Sequence, residues 1–253
     1  MTEPTIILHQ FRASHFNDKV RWALAFKGLV HQRNTLLPGP HQGTIRKLSG
    51  QTSTPVLELD GRAIAGSAAI IDALEQRVPS PALYPADTKE RQDALDIQSR
   101  FDRDLGPATR TIVFTVFVNE LGYPARTFGG EASAVQRGVY RLVLSLVKPM
   151  MAKTNGVTDP ENVKHCSVIT QQALDWIAER TAQQKFLVGE SFSVADLTAA
   201  ALLSPIMQLE HPDMRPAAPV PAALEAMWSE WKNHPPIHWA KGIYRDHRPA
   251  DAR

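Results

Sequence analysis

Thr54-Pro55-Val56-Leu57-Glu58-Leu59-Asp60-Gly61-Arg62-Ala63-Ile64-Ala65-Gly66-Ser67-Ala68-Ala69-Ile70 is the stretch that decides the architecture. Pro55 to Leu59 alternates apolar and polar residues, the mark of a half-buried strand. Asp60-Gly61 is a hairpin dipeptide, and Arg62 to Ala65 is the return strand. Ser67 then opens a helix, with Ile70, Ile71, Leu74 and Val78 on one face. A hairpin running straight into a helix is the end of a small α/β unit.

The residues before it complete that unit. Thr5 to His9 is short, apolar and β-branched, a buried strand. Phe16, Val20, Ala23 and Leu24 share a helical face, and Gly28 closes the helix. Leu29 to Leu37 holds a weaker strand, and His41 to Leu48 a short helix. The order is strand, helix, strand, helix, hairpin, helix. After it, Pro79, Pro81 and Pro85 make a linker-like break. Everything beyond reads as helix. Ala94, Ile97, Phe101, Leu105, Ala108 and Ile112 step by three or four, with Pro107 as a potential kink. Ile112 to Val118 alone would suit a strand and is assigned to helix from its context. Gly129-Gly130, Asn155-Gly156 and Asp159-Pro160 mark loops. Helices are predicted around Glu161–Gln183, Val194–Leu203 and Pro221–Lys232, the last with Leu224, Met227, Trp228 and Trp231 as a core stripe. The expected domains are 1–79, a linker 80–87, and an all-helical 88–253. No internal repeat is present.

Composition narrows the function. The chain has 253 residues, 43% of them hydrophobic and 21% charged, enough for packed cores rather than disorder. Twenty-eight Lys+Arg against 26 Asp+Glu is too balanced to suggest a nucleic-acid partner. The longest uncharged apolar run is far too short to span a bilayer, and the first residues do not resemble a signal peptide. A cytoplasmic protein without a membrane partner is the expectation. One cysteine, Cys166, excludes an intrachain disulfide or a C-x-x-C pair and is expected to be buried packing. No metal site is expected: Pro235 and Pro236 separate His234 from His238, which are read as surface residues.

Four clusters carry candidate chemistry. Ser14, before Phe16 and Asn17, stands where a helix begins; the helix-start N–H groups favour an anion and a hydroxyl can donate to it. Taken alone, the stretch favours a simple N-cap. Thr54-Pro55 reads either as an ordinary trans proline or as a cis proline that frees Thr54's backbone to pair with a peptide-like ligand. Gly66-Ser67 offers a hydroxyl and helix-start N–H groups to a carboxylate, or a plain cap. Ser193 and Asp196 have capping-box spacing and a structural role. His15 beside Ser14 lacks an orienting acid, so a hydrolase is not indicated.

In order and spacing these segments resemble the glutathione transferase superfamily across nearly the whole chain. SHFNDKVRWAL (14–24) looks like its active-site segment in a bacterial-type form with serine at the active position. TPVLELDG (54–61) looks like its cis-proline segment, GSAAI (66–70) its acidic-serine motif, and SVAD (193–196) its helical-domain folding signature. The resemblance implies an α/β thioredoxin-like N-terminal domain plus an all-α C-terminal helical bundle. It implies glutathione as co-substrate, held by Phe16, Asn17, Thr54, Pro55, Gly66 and Ser67. His41, Arg46 and Lys47 stand where the family meets the glycyl carboxylate, or are solvated surface charges. Ser14 would donate to the thiolate, which attacks a small hydrophobic electrophile in conjugation or isomerisation, a detoxification chemistry. A homodimer is implied by resemblance alone. Two departures stand out: Gly66 replaces the usual acid, and no cysteine occupies the active position. The alternative is a non-catalytic ligand-binding or interaction protein on the same fold.

Overall fold

The structure is a computed structural model and describes residues 6–130 and 132–249. Thr5, where the first strand is expected to begin, lies outside the described residues. The first unit contains β1 (Ile7–Gln10), α1 (His15–Phe26), β2 (Gln32–Thr35), α2 (Gln42–Ser49), β3 (Val56–Leu59), β4 (Arg62–Ala65) and α3 (Ser67–Arg77). Its sheet runs β2-β1-β3-β4. β1 is parallel to β2, with His9 opposite Asn34, and antiparallel to β3, with His9 opposite Val56. The β3–β4 hairpin turns at Asp60 and Gly61, both left-handed at φ +51° and +77°, the backbone a tight hairpin demands. This is the mixed sheet of a thioredoxin-like unit. Leu8, Val20, Leu24, Leu57, Ile70, Ile71 and Leu74 are fully buried between sheet and helices.

The rest is helical: α4 (Thr88–Arg103), α5 (Leu105–Phe117), α6 (Gly122–Gly129), α7 (Ala134–Thr154), α8 (Pro160–Thr181), α9 (Val194–Leu203), α10 (Ala222–Trp231) and α11 (Pro235–His247). The break expected at Pro107 falls at Asp104 instead (φ −107°, ψ −58°). Pro107 would clash with the carbonyl of Arg103, so the chain restarts at Leu105 and Pro107 sits in the new first turn, where its missing N–H costs nothing. Pro235 and Pro236 likewise open α11 rather than separating its flanking histidines, with His234 at the N-cap and His238 exposed inside the helix. Among the described residues no cluster of three metal-ligating side chains occurs, and no helix is long and apolar enough to cross a membrane.

All ten residues of α9 are buried, making it the axis of the helical unit. Its start is the Ser193–Asp196 box. Asp196 Oδ2 accepts from Ser193 N–H at 3.0 Å and Oδ1 from Leu187 N–H at 2.7 Å, while Ser193 Oγ accepts from Ala195 N–H at 3.3 Å. Val194 N–H donates to Leu83 O at 2.8 Å, which ties the box to the linker. By contrast α7 buries only Tyr140 and Leu144 over its 21 residues.

The two units meet through α1, which packs on α9 and is tied to α4 by an ion pair. Lys19 Nζ reaches both oxygens of Asp102 on α4 at 2.7 Å, with its side chain fully buried. Trp22 Nε1 donates to His247 O at 2.7 Å. Lys27 Nζ pairs with Glu75 and donates to Val78 O and Pro81 O, fixing the start of the linker.

Candidate active site

Ser14 is half-buried at the N-cap of α1, with extended backbone (φ −113°, ψ 128°). Its carbonyl accepts the first helical bond, from Asp18 N–H at 2.8 Å, but its hydroxyl makes no capping bond. The simple cap is therefore not how the side chain is used. Its hydroxyl and the unpaired first N–H groups of α1 converge on the same end of the helix.

Asn17 and Thr54 link that end of α1 to the β3 approach: Asn17 Nδ2 donates to Thr54 Oγ1 at 3.1 Å. The Thr54-Pro55 bond is cis. Pro55 O accepts from Gly66 N–H at 3.0 Å, which sets Gly66-Ser67 against the proline. Ser67 is buried at the first position of α3, beside that helix's own unpaired N–H groups. Ser14, Thr54-Pro55 and Gly66-Ser67, far apart in sequence, thus share one margin of the sheet. Gly66 has φ +92°, a conformation that L side chains rarely adopt, although open space surrounds it.

Two other expected ligand residues, Phe16 and His41, face elsewhere. Phe16 packs its ring on Gly106 of α5, where a Cβ would lie 3.0 Å from Phe16 Cε2 and 3.3 Å from Leu202 Cδ2. It is a wedge between the units. His41 is buried with both ring nitrogens engaged: Nδ1 accepts from Gly39 N–H at 3.0 Å and Nε2 donates to Thr52 O at 2.8 Å. Burial pushes its pKa down, in keeping with a neutral ring. Arg46 and Lys47 remain the exposed cations of α2. His15 also turns inward, donating through Nε2 to Gly106 O at 2.9 Å, so it forms no dyad with Ser14.

A cavity of about 370 Å³ opens at Ala13; Ser14 itself does not line it. Ala13, the preceding residue, lines it together with Arg12, Arg126 of α6, and the segment Pro212–Ala217, which includes Asp213 and Arg215. A second cavity of about 410 Å³ lies at the linker around Asp72, Glu75, Tyr84 and Arg91, away from α1's start.

Comparison with known proteins fits this layout. Residues 8–82 match the family model for the glutathione S-transferase N-terminal domain, and residues 141–222 that for its C-terminal domain. Maleylacetoacetate isomerase of Dictyostelium discoideum is 31% identical over 208 residues, 79% of either chain. The chain belongs to the glutathione S-transferase superfamily. Maleylpyruvate isomerase of Ralstonia sp. is 28% identical over 131 residues, 51% of this superfamily member and 58% of that protein's length. A beta-etherase from Sphingobium sp. strain SYK-6 shares the fold, with a TM-score of 0.63 at 17% identity over 93% of this chain and 98% of its own. Of this transferase-family chain's cleft, sequence reasoning missed Arg12, Arg126, Arg215 and Asp213. Only Arg12, two residues before Ser14, carried a local signal.

Proposed function

We propose that this protein is a glutathione transferase-like enzyme in which the Ser14 hydroxyl stabilises the thiolate of bound glutathione. The observation that carries the reading is the Ser14 side chain itself: at a helix start, half-exposed, and without a capping bond. A free thiol titrates near ~8.5, so a useful thiolate at neutral pH requires a shift of about two units, or ~2.7 kcal/mol. A charged hydrogen bond and a helix terminus supply that order of energy together. The Thr54 backbone beside Pro55 suits a peptide-like ligand, and Ser67 with the α3 N–H groups suits its γ-glutamyl carboxylate.

The thiolate attacks an electrophilic carbon in the neighbouring cleft. With a leaving group present, the carbon–sulfur bond forms as that group departs with its electron pair. With an activated alkene, addition gives a carbanion. Protonation yields the conjugate, whereas rotation and expulsion of the thiolate yield the geometric isomer and regenerate glutathione. The isomerase relatives make the second outcome as natural as the first. Function in a homodimer and a role in detoxification are part of the same proposal.

The test is Ser14→Ala, assayed by glutathione titration and by turnover. Turnover is expected to fall at least about tenfold with glutathione affinity nearly kept, because the lost bond acts on the ionised sulfur. Equal turnover in variant and parent would remove Ser14 from the chemistry. Gly66, in place of the family's usual acid, favours a second reading, a ligand-binding protein without turnover. Glutathione binding with no conjugation or isomerisation of any acceptor would select it.

A further inference from the structure

The cleft lined by Ala13, the residue before Ser14, has an unusual charge balance. Three guanidiniums line it, Arg12, Arg126 and Arg215, against one carboxylate, Asp213. Asp213 is already committed elsewhere. Arg33 grips it in two bonds of 2.7 and 3.1 Å, Arg248 Nη2 donates to it at 2.7 Å, and Arg21 Nε lies at 3.4 Å. Burial works to raise the Asp213 carboxyl, and the Arg33 hydrogen bond with the charges of Arg21, Arg33 and Arg248 overcomes this and lowers it. Its charge is matched from behind the cleft wall and does not neutralise the arginines in front.

Those three have no carboxylate partner among the described residues. Arg126 Nη2 donates to Pro219 O at 2.8 Å, while its buried Nε has no partner. Arg215 Nη2 donates to Glu210 O at 3.2 Å. Arg12 lies along Gly130, with Nη1 2.6 Å from where a Cβ would stand there. Backbone carbonyls position two of the guanidiniums without cancelling their charge. Gathering three like charges around one cavity costs energy that an anion between them would recover.

We propose that this cleft is an anion-selective acceptor site, in which Arg12, Arg126 and Arg215 take up a carboxylate carried by the acceptor molecule. The inference rests on the reading of Ser14 as the sulfur site. It narrows the acceptor class: an electrophilic carbon for the thiolate at the Ala13 end, and an anionic tail among the arginines. The small apolar walls, Ala13, Pro212, Pro216 and Ala217, leave room for a compact carbon skeleton between the two.

The test uses a matched pair, 4-chloro-3,5-dinitrobenzoate and its methyl ester. In both, sulfur bonds to the ring carbon, chloride leaves with the electron pair, and the thiol proton goes to solvent. The parent is expected to favour the acid over the ester in kcat/KM by at least about tenfold, the scale of a charged hydrogen bond. Arg126→Gln and Arg215→Gln should each lower that acid-to-ester ratio several-fold. Arg62→Gln, an equal charge loss on exposed β4, should leave the ratio unchanged. A ratio near one in the parent, or equal loss from Arg62→Gln, overturns the proposal. Binding of unreactive 3,5-dinitrobenzoate and its methyl ester, followed by calorimetry, decides the matter without turnover. Preference for the acid that vanishes in Arg126→Gln supports the cleft; equal binding of acid and ester overturns it. Glutathione titration is read separately: its failure removes the transfer reading, whereas indifference to the carboxylate removes only the acceptor class.

Discussion

At Ser14 and His15, neighbours on the chain have opposite fates, and the difference is burial. Ser14 is half-buried and its hydroxyl makes no capping bond, while His15 is 5% exposed. Burial, with the charge of Arg110 beside it, lowers the His15 pKa from 6.5 to about 3. The unfolded chain therefore binds a proton below about 6.5 that the folded chain refuses. Stability linked to His15 is complete above that pH and is lost as pH falls toward 3. Asp196 works in the other direction: burial raises its carboxyl to about 6 from 3.8, so its contribution declines as pH rises between those values. The two slopes oppose each other from pH 4 to 6, and a simple acid melt hides both. His15→Gln isolates the first, since an amide can still donate to Gly106 O. Between pH 7 and 5 the unfolding free energy of the parent should fall relative to the variant by about 2 kcal/mol. A gap that stays constant with pH would mean that His15 is not held neutral.

At the level of elements, the α1–α5 contact depends on the missing side chain at Gly106. A methyl group there gains about 1 kcal/mol of helix propensity. It also drives into the Phe16 ring and Leu202, an overpacking cost of about 1–3 kcal/mol. The collision should win, so Gly106→Ala is expected to lower the denaturant midpoint. In a Phe16→Leu background the penalty should shrink or reverse; an identical cost in both backgrounds would show that the ring is not what the methyl meets. Sequence reading reached α5 but misplaced its start, because Pro107 marks a boundary three residues after the one it enforces. It missed α11 because Pro235-Pro236 looks like a breaker, although prolines are well suited to a first turn. It found the Ser193–Asp196 box because every partner lies within a few residues. It passed over α6 and α7 because neither shows a clean buried stripe: α7 leaves Val135, Val139, Leu142 and Leu146 exposed. The grouping of Ser14, Thr54-Pro55 and Gly66-Ser67 was legible from motif order, whereas the arginine cleft, drawn from residues 12, 126 and 215, was not.

Across the whole molecule, one buried polar network joins the two ends of the chain. Asp18 Oδ2 accepts from Tyr244 Oη at 2.7 Å, and its Oδ1 accepts from Arg248 Nη2 and Arg21 Nη2, both at 3.3 Å. Arg248 also bridges to Asp213, so one guanidinium serves the first helix and the cleft wall together. Removing one member of a buried ionic cluster leaves its partners uncompensated, at a cost of about 3–5 kcal/mol. Arg248→Gln should destabilise the protein on that scale in chemical denaturation, and far-UV and tryptophan signals should still move together. A change below about 0.5 kcal/mol would show that the network contributes little.

The same closure has a consequence for biosynthesis. Trp22 meets His247 across 225 residues of sequence, and Asp18 meets Arg248 across 230. A ribosome adding about 5–20 residues per second needs on the order of ten to forty-five seconds to cover that distance. Throughout that interval the nascent first helix carries Asp18 and Trp22 without their partners at Tyr244, His247 and Arg248. The sheet can form early, but the Asp18 and Trp22 contacts of α1 are completed only once residues 244–248 have emerged. Premature termination before Tyr244 would thus release a chain whose opening domain holds unmatched charge and an uncovered indole, a form suited to recognition by chaperones and proteases.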